Sequence, residues 1–206
     1  MKKIRFPSAA FPLLVLAALA ASLQGCVEMA VVGAGAAALS AVDRRATGVQ
    51  IDDEGIELRA TNRVSERYGD KVHVNIISYN RSVLVVGEVP DAKAKSEIEK
   101  IITATANVRG VTNDLQVAGG SSLSSRASDA TITGKVKARF LDVNRFNALL
   151  VKVVTEAAVV YLMGIVTESE AAAAVEIART TGGVRKVVKV FEYCKPADAV
   201  CAPRKL

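Results

Sequence analysis

Val83-Leu84-Val85-Val86-Gly87-Glu88-Val89 and Val159-Val160-Tyr161-Leu162-Met163-Gly164-Ile165-Val166 read as two copies of one strand, with Gly87 falling on Gly164 and Val89 on Val166. An internal repeat is settled first, because it decides whether one core or two must be built. Each copy follows a shorter alternating run, Val72 to Ile76 in the first and Val151 to Thr155 in the second, so each pair reads as a β-hairpin. Tyr79-Asn80-Arg81-Ser82 supplies an acceptable turn, whereas Glu156-Ala157-Ala158 lacks turn-forming residues. A glycine inside a strand marks a close backbone approach, here expected from a helix crossing the sheet.

The pattern outside the hairpins repeats as well. Ile56, Ala60 and Val64 recur every fourth residue before the first hairpin, as do Ile132, Val136 and Phe140 before the second. After the first hairpin Pro90-Asp91 opens a helix whose buried side is Ala94, Ile98, Ile101 and Ile102. After the second, Thr167 and Glu170 have capping-box spacing, Ala171, Val175 and Ala178 form the stripe, and Gly182-Gly183 ends it. Val108 to Val117 and Val184 to Tyr193 close the units as strands. The fold class is therefore α+β, two tandem α-β-β-α-β units, each a three-stranded mixed sheet covered by two helices. The units span 48–117 and 128–193. The Gly/Ser-rich stretch 118–127 between them has linker composition that permits relative movement, and 194–206 is a tail.

The chain begins with Lys2, Lys3 and Arg5 followed by an apolar segment from Phe11 to Leu23, the order of a secretory leader. Leu23-Gln24-Gly25-Cys26 then resembles the lipobox of bacterial lipoproteins. That likeness implies a signal peptide at 1–25, diacylglyceryl transfer to Cys26, cleavage after Gly25 and acylation of the new amino terminus. Reading 11–23 as a transmembrane helix is disfavoured, since a span needs about 20 apolar residues and Pro12 interrupts this one. Val27 stands where Asp marks lipoproteins kept at the inner membrane, which implies delivery to the outer membrane, facing the periplasm. Residues 26–47 form a small, apolar tether lying near the membrane or packed on the first unit. Its Gly33-Ala34-Gly35-Ala36-Ala37-Ala38 matches a dinucleotide-binding pattern only superficially, because no βαβ context surrounds it.

Formal charge is +6, but three positive residues leave with the leader, so the mature chain is too mildly basic to indicate nucleic acid. Cys194 and Cys201, with Pro196 between them, can close a small disulfide loop in an oxidising compartment. Metal binding there would need ligands that are not nearby. His73, the single histidine, reads as a solvent-facing strand residue. Asp52, Asp53 and Glu54 read as charges favouring a helix amino end, as do Asp91 and Glu168. Arg59, Arg63 and Arg67 form a stripe whose neighbours Glu57, Glu66 and Asp70 argue for local pairing. No nucleophile with a base, carboxylate pair or metal-ligand spacing assembles, so no catalytic site, metal or cofactor is expected.

With lipobox, tether and two repeats in order, the chain resembles the dual-BON periplasmic lipoproteins of Gram-negative bacteria. The Gly-centred hairpin strands and the two V-x-x-V segments, Val108 to Val111 and Val184 to Val187, carry the likeness. It implies a non-enzymatic outer-membrane lipoprotein that binds anionic phospholipid through the first helix of the second BON domain and maintains envelope integrity, including at the division site. Over 128–193 there are nine basic and seven acidic side chains, and Lys135, Lys137, Arg139, Arg145 and Lys152 are the cations in question. The expected phospholipid-binding residues are Thr131, Ile132, Lys135, Val136 and Arg139. Thr131 stands where some relatives carry an aromatic, and the chain has no Trp, so shallow insertion rests on Ile132 and the cations. The alternative function is a protein adaptor, with the sheet faces or the Arg59 stripe contacting outer-membrane assembly or cell-wall proteins. A third role is that of a spacer.

Overall fold

The computed structural model describes residues 43–201; the leader, Cys26 and the tether to residue 42 lie outside the described residues. The first module runs α1 (Thr47–Tyr68), β1 (His73–Tyr79), β2 (Ser82–Val89), α2 (Ala92–Thr103), β3 (Gly110–Asn113) and β4 (Gln116–Val117). The second runs α3 (Leu123–Val143), β5 (Lys152–Glu156), β6 (Val159–Val166), α4 (Glu168–Arg179) and β7 (Lys186–Tyr193). β2 pairs antiparallel with β1 and parallel with β3 and its continuation β4; β6 pairs antiparallel with β5 and parallel with β7. The expected mixed sheets and α-β-β-α-β order are what the chain adopts.

Alternation along the central strands sends side chains to two different cores. Val83, Val85 and Val89 of β2 face Ile56, Ala60, Val64, Ile98 and Ile102 of the helices. Val160, Leu162 and Val166 of β6 face Ile132, Val136, Phe140, Ala174 and Ile177 in the same way. The intervening residues Leu84 and Val86 meet Tyr161, Met163 and Ile165 in a third cluster, together with Ile77, Tyr79 and Val154. The two sheets are thus stacked, helices outside and sheets inside, and each fully buried Leu, Val or Met of the shared face contributes about 1.5–3 kcal/mol. This corrects the expectation of a mobile linker: α3 begins at Leu123, inside the stretch assigned to it, and the modules share a core.

Both strand glycines mark a close approach, but the neighbour differs from the expected helix. A Cβ at Gly87 would fall on the carbonyl oxygen of His73, and one at Gly164 on that of Leu150. Each glycine therefore admits the backbone that enters its own hairpin. Gly87 also has φ 121°, which adds conformational strain to any substitution there.

The hairpin turns are alike despite unlike residues. Asn80 and Arg81 have φ of 52° and 64°, and Ala157 and Ala158 have 49° and 59°, the left-handed pair of a type I′ turn. Asp53 accepts from the amides of Asn80 (2.9 Å) and Arg81 (2.7 Å) and from Ser78 Oγ (2.6 Å). α1 starts at Thr47, so Asp52, Asp53 and Glu54 lie beyond its first turn, and Asp53 holds the hairpin instead of favouring a helix end. Asp91 does cap α2, accepting from the Ala94 amide at 2.7 Å, and the Thr167–Glu170 capping box opens α4.

Candidate functional site

α3 carries the residues expected to touch lipid, and the fold sorts them into three groups. Ile132 and Val136 are buried among Phe140, Val160 and Leu162, so they are core side chains and unavailable for insertion. Arg139 Nη1 donates to the Ile177 carbonyl (2.8 Å), Thr181 Oγ1 (2.8 Å) and Thr180 Oγ1 (3.1 Å), placing a cation on the carboxyl end of α4 where the helix dipole favours it. Thr131 and Lys135 are exposed. The physical reason is the periodicity itself: Ile132 and Val136 continue the Phe140 stripe, and one stripe cannot face both the sheet and a bilayer.

The outer side of α3 is apolar. At about 100° per residue, Leu123, Ala127, Ala130, Gly134, Ala138 and Leu141 fall on one strip, flanked by Lys137 on one side and by Thr131, Asp142 and then Lys135 on the other. All of these residues are exposed, Leu123 at 82% and Leu141 at 68%. Leu149, 51% exposed, lines with Leu141, Lys137, Lys152, Arg45 and Tyr79 a cleft of about 370 Å³. Lys152 is not a free cation, since its Nζ reaches Glu57 Oε1 at 3.0 Å across the module boundary.

The cations of the first module pair differently from expectation. Arg59 and Arg63 reach the carbonyls of Ala106 and Ala104, both at 3.5 Å, and Arg67 meets Glu97 at 3.5 Å instead of a neighbour on its own helix. Arg63, Arg67 and Lys100 line a groove between α1 and α2, floored by Ile101 and Ala104.

Just before α1, Arg44 is shared between α4, β6 and the tail. Its guanidinium bonds both oxygens of Glu170 (2.7 and 3.0 Å), the Ile165 carbonyl (2.9 Å) and the Cys201 carbonyl (3.2 Å). Burial pushes the Glu170 carboxyl up, but Arg44 and the Thr167 amide outweigh it and hold the group below its ordinary value. Arg45 spans Asp43 and Asp53 and lies 4.1 Å over the Tyr79 ring. Cys194 and Cys201 are joined, with Cα atoms 6.1 Å apart.

One grouping was not legible in the sequence. His73 is not simply solvent-facing: its Nδ1 lies 2.9 Å from Glu88 Oε2, its cross-strand partner, and 3.8 Å from Glu156 Oε1 of the second module. Spacing could not reveal a cluster drawn from both modules. The available signal was Glu88 itself, a carboxylate inside an otherwise apolar strand.

Among the described residues no helix is long and apolar enough to cross a membrane. The geometry defines a class: a tandem α+β module pair joined by stacked sheets, with an exposed apolar strip between lysines. The BON domain model matches the chain twice, at residues 52–119 and 128–195. The chain is 39% identical over 173 residues to the outer membrane lipoprotein DolP of Haemophilus influenzae, covering 83% of this chain and 90% of that protein. It is 31% identical over 154 residues to the 21 kDa hemolysin of Actinobacillus pleuropneumoniae, covering 74% and 79% respectively. Among solved structures, CdsD of the Chlamydia trachomatis type III secretion system aligns with TM-score 0.29 and 12% identity over 66% of this chain and 91% of that one, a likeness that carries no argument. The protein belongs to the dual-BON family of outer-membrane lipoproteins.

Proposed function

We propose that the protein is a non-enzymatic lipoprotein, anchored through Cys26 to the periplasmic side of the outer membrane, that binds anionic phospholipid along α3 and supports envelope integrity, including at the division site. The observation that carries the reading is the exposed strip from Leu123 to Leu141 between Lys135 and Lys137. A solvated helix face is ordinarily polar, whereas one that lies on a bilayer presents apolar residues flanked by cations. Each lysine near a charged surface contributes about 1 kcal/mol. Ile132 and Val136 act from beneath, fixing α3 on its sheet, Arg139 fixes it to α4, and Thr131 contributes only an exposed hydroxyl-bearing edge.

Flotation with vesicles tests this. The mature chain carrying Cys26→Ser should be captured by anionic and not by zwitterionic vesicles, and Lys135→Glu with Lys137→Glu should weaken capture at least about 30-fold. Equal capture of this variant, or equal capture by both vesicle types, would remove α3 as the lipid site.

The adaptor reading is narrowed by the fold. The sheet faces cover each other, which leaves to a protein partner the α1–α2 groove, where Arg63, Arg67 and Lys100 stand among Glu66 and Glu97.

A further inference from the structure

We infer that His73, Glu88 and Glu156 form a binding site for a divalent cation of the zinc class, one that staples the first module to the second. The three side chains offer one imidazole nitrogen and two carboxylate oxygens, all within 4.8 Å of one another. A tetrahedral zinc site with bonds of about 2.0–2.1 Å separates neighbouring ligand atoms by about 3.3 Å. The distances from His73 Nδ1 to Glu88 and Glu156, 2.9 and 3.8 Å, bracket that value, so shifts of a few tenths of an ångström bring all three into range. An imidazole beside two carboxylates favours zinc and its first-row neighbours over calcium or magnesium, which take oxygen ligands alone.

A second observation points the same way. The Glu156 side chain is only 10% exposed, and its one ion-pair contact among the described residues is His73 Nδ1 at 3.8 Å, too long for a hydrogen bond, so its carboxylate otherwise faces the cleft it lines. Buried carboxylates are otherwise paired or hydrogen-bonded. Glu88, 9% exposed, is bonded by His73 and by the Ser121 amide at 3.2 Å, so one imidazole serves two nearly buried negative groups. Arg126 lines the clefts on both sides of His73 and its charge reaches Glu156, but it turns its Nε to Ser121 Oγ at 3.2 Å and makes no ion pair within 4 Å with either carboxylate among the described residues. A divalent cation entering from either cleft would neutralise both carboxylates, its bond to the His73 Nδ1 lone pair releasing any proton on that nitrogen to solvent. The clefts, about 400 and 340 Å³, leave room for a water as fourth ligand.

Because Glu156 comes from the second module, the ion would bind only the stacked arrangement and would stabilise it by mass action. Cys194 and Cys201, being joined, are not competing thiolate ligands.

The test uses the full lipidated chain in neutral detergent, titrated with Co²⁺ as a spectroscopic probe and with Zn²⁺ in calorimetry. Expected are one equivalent bound, a visible tetrahedral Co²⁺ band that Zn²⁺ abolishes, and a thermal midpoint raised by Zn²⁺. His73→Ala and the near-isosteric Glu156→Gln should each weaken binding at least about tenfold and abolish the rise in midpoint, while Glu176→Gln on α4 changes neither. Circular dichroism identifies any variant that has lost its fold, in which case the other decides. Absence of the band in the unaltered chain, or binding by Glu156→Gln as tight as in the parent, overturns the site.

Discussion

Asp129 stands in the second module where Asp53 stands in the first, and each carboxylate accepts both backbone amides of its own hairpin turn. For Asp129 these are Ala157 at 2.9 Å and Ala158 at 2.8 Å. Two alanines at positive φ are unfavourable alone, so the turn is imposed from α3 and not by its own residues. Removing the carboxylate leaves two amides without their acceptor. Asp129→Ala should destabilise by about 2–3 kcal/mol in urea denaturation, whereas Ala157→Asn with Ala158→Gly should stabilise by about 1 kcal/mol. A loss below about 0.5 kcal/mol for Asp129→Ala would show that the strands alone hold the turn.

The stacked sheets make a cooperativity prediction. Leu84 is fully buried and Met163 is 1% exposed in the face the modules share. If that face holds them together, the parent chain melts in one transition. Leu84→Ala should lower stability by about 2–5 kcal/mol and keep one transition. Leu84→Asp should separate the melt into two, because a carboxylate buried between the sheets is opposed by apolar atoms only. Two transitions in the parent by calorimetry would contradict the shared core.

The fold was legible and the interface was not, for one reason. The alternation and four-residue spacings that define helices and strands are local, so the repeat, the core stripes of α1 and α3 and the capping box could all be read directly. β2 and β6 held more: an uninterrupted apolar run is the mark of a strand buried on both faces, and Leu84, Val86, Tyr161 and Met163 fill the second face. Composition suggested a flexible linker instead, because Gly119, Gly120 and the serines fit a loop and an exposed helix start equally well. Ile132 and Val136 are buried because two uses of one helix compete: both match the sheet-facing stripe, while Thr131 and Lys135 are exposed and the outer side is set by Leu123, Gly134 and Leu141.

Arg44 and Glu170 give the pH dependence a sign. The Glu170 carboxyl is held below its ordinary value, so its contribution is present above the unfolded value of about 4.5 and is lost as pH falls through the folded one. Arg44→Ala removes the pair and two carbonyl contacts, a loss of about 2 kcal/mol at pH 7. Measured at decreasing pH, the difference between parent and variant should shrink below about pH 4.5. A gap that stays constant down to pH 2 would assign the loss to packing of the arginine stem.

The tail disulfide and Arg44 should act as one unit. Closing a short loop of this size stabilises by about 2–3 kcal/mol through the unfolded chain. The Cys201 carbonyl accepts from Arg44, and the Cys194 amide donates to the Val166 carbonyl at 3.0 Å, so the loop lies over the end of β6 beside Arg44. Reduction frees residues 195–201 and withdraws one acceptor from Arg44. In a double-mutant cycle, Cys194→Ser with Cys201→Ser and Arg44→Ala should together destabilise by about 0.5–1 kcal/mol less than the sum of the separate losses. Strict additivity would mean that the tail closes independently of Arg44, and the contact at 3.2 Å would then carry no energy.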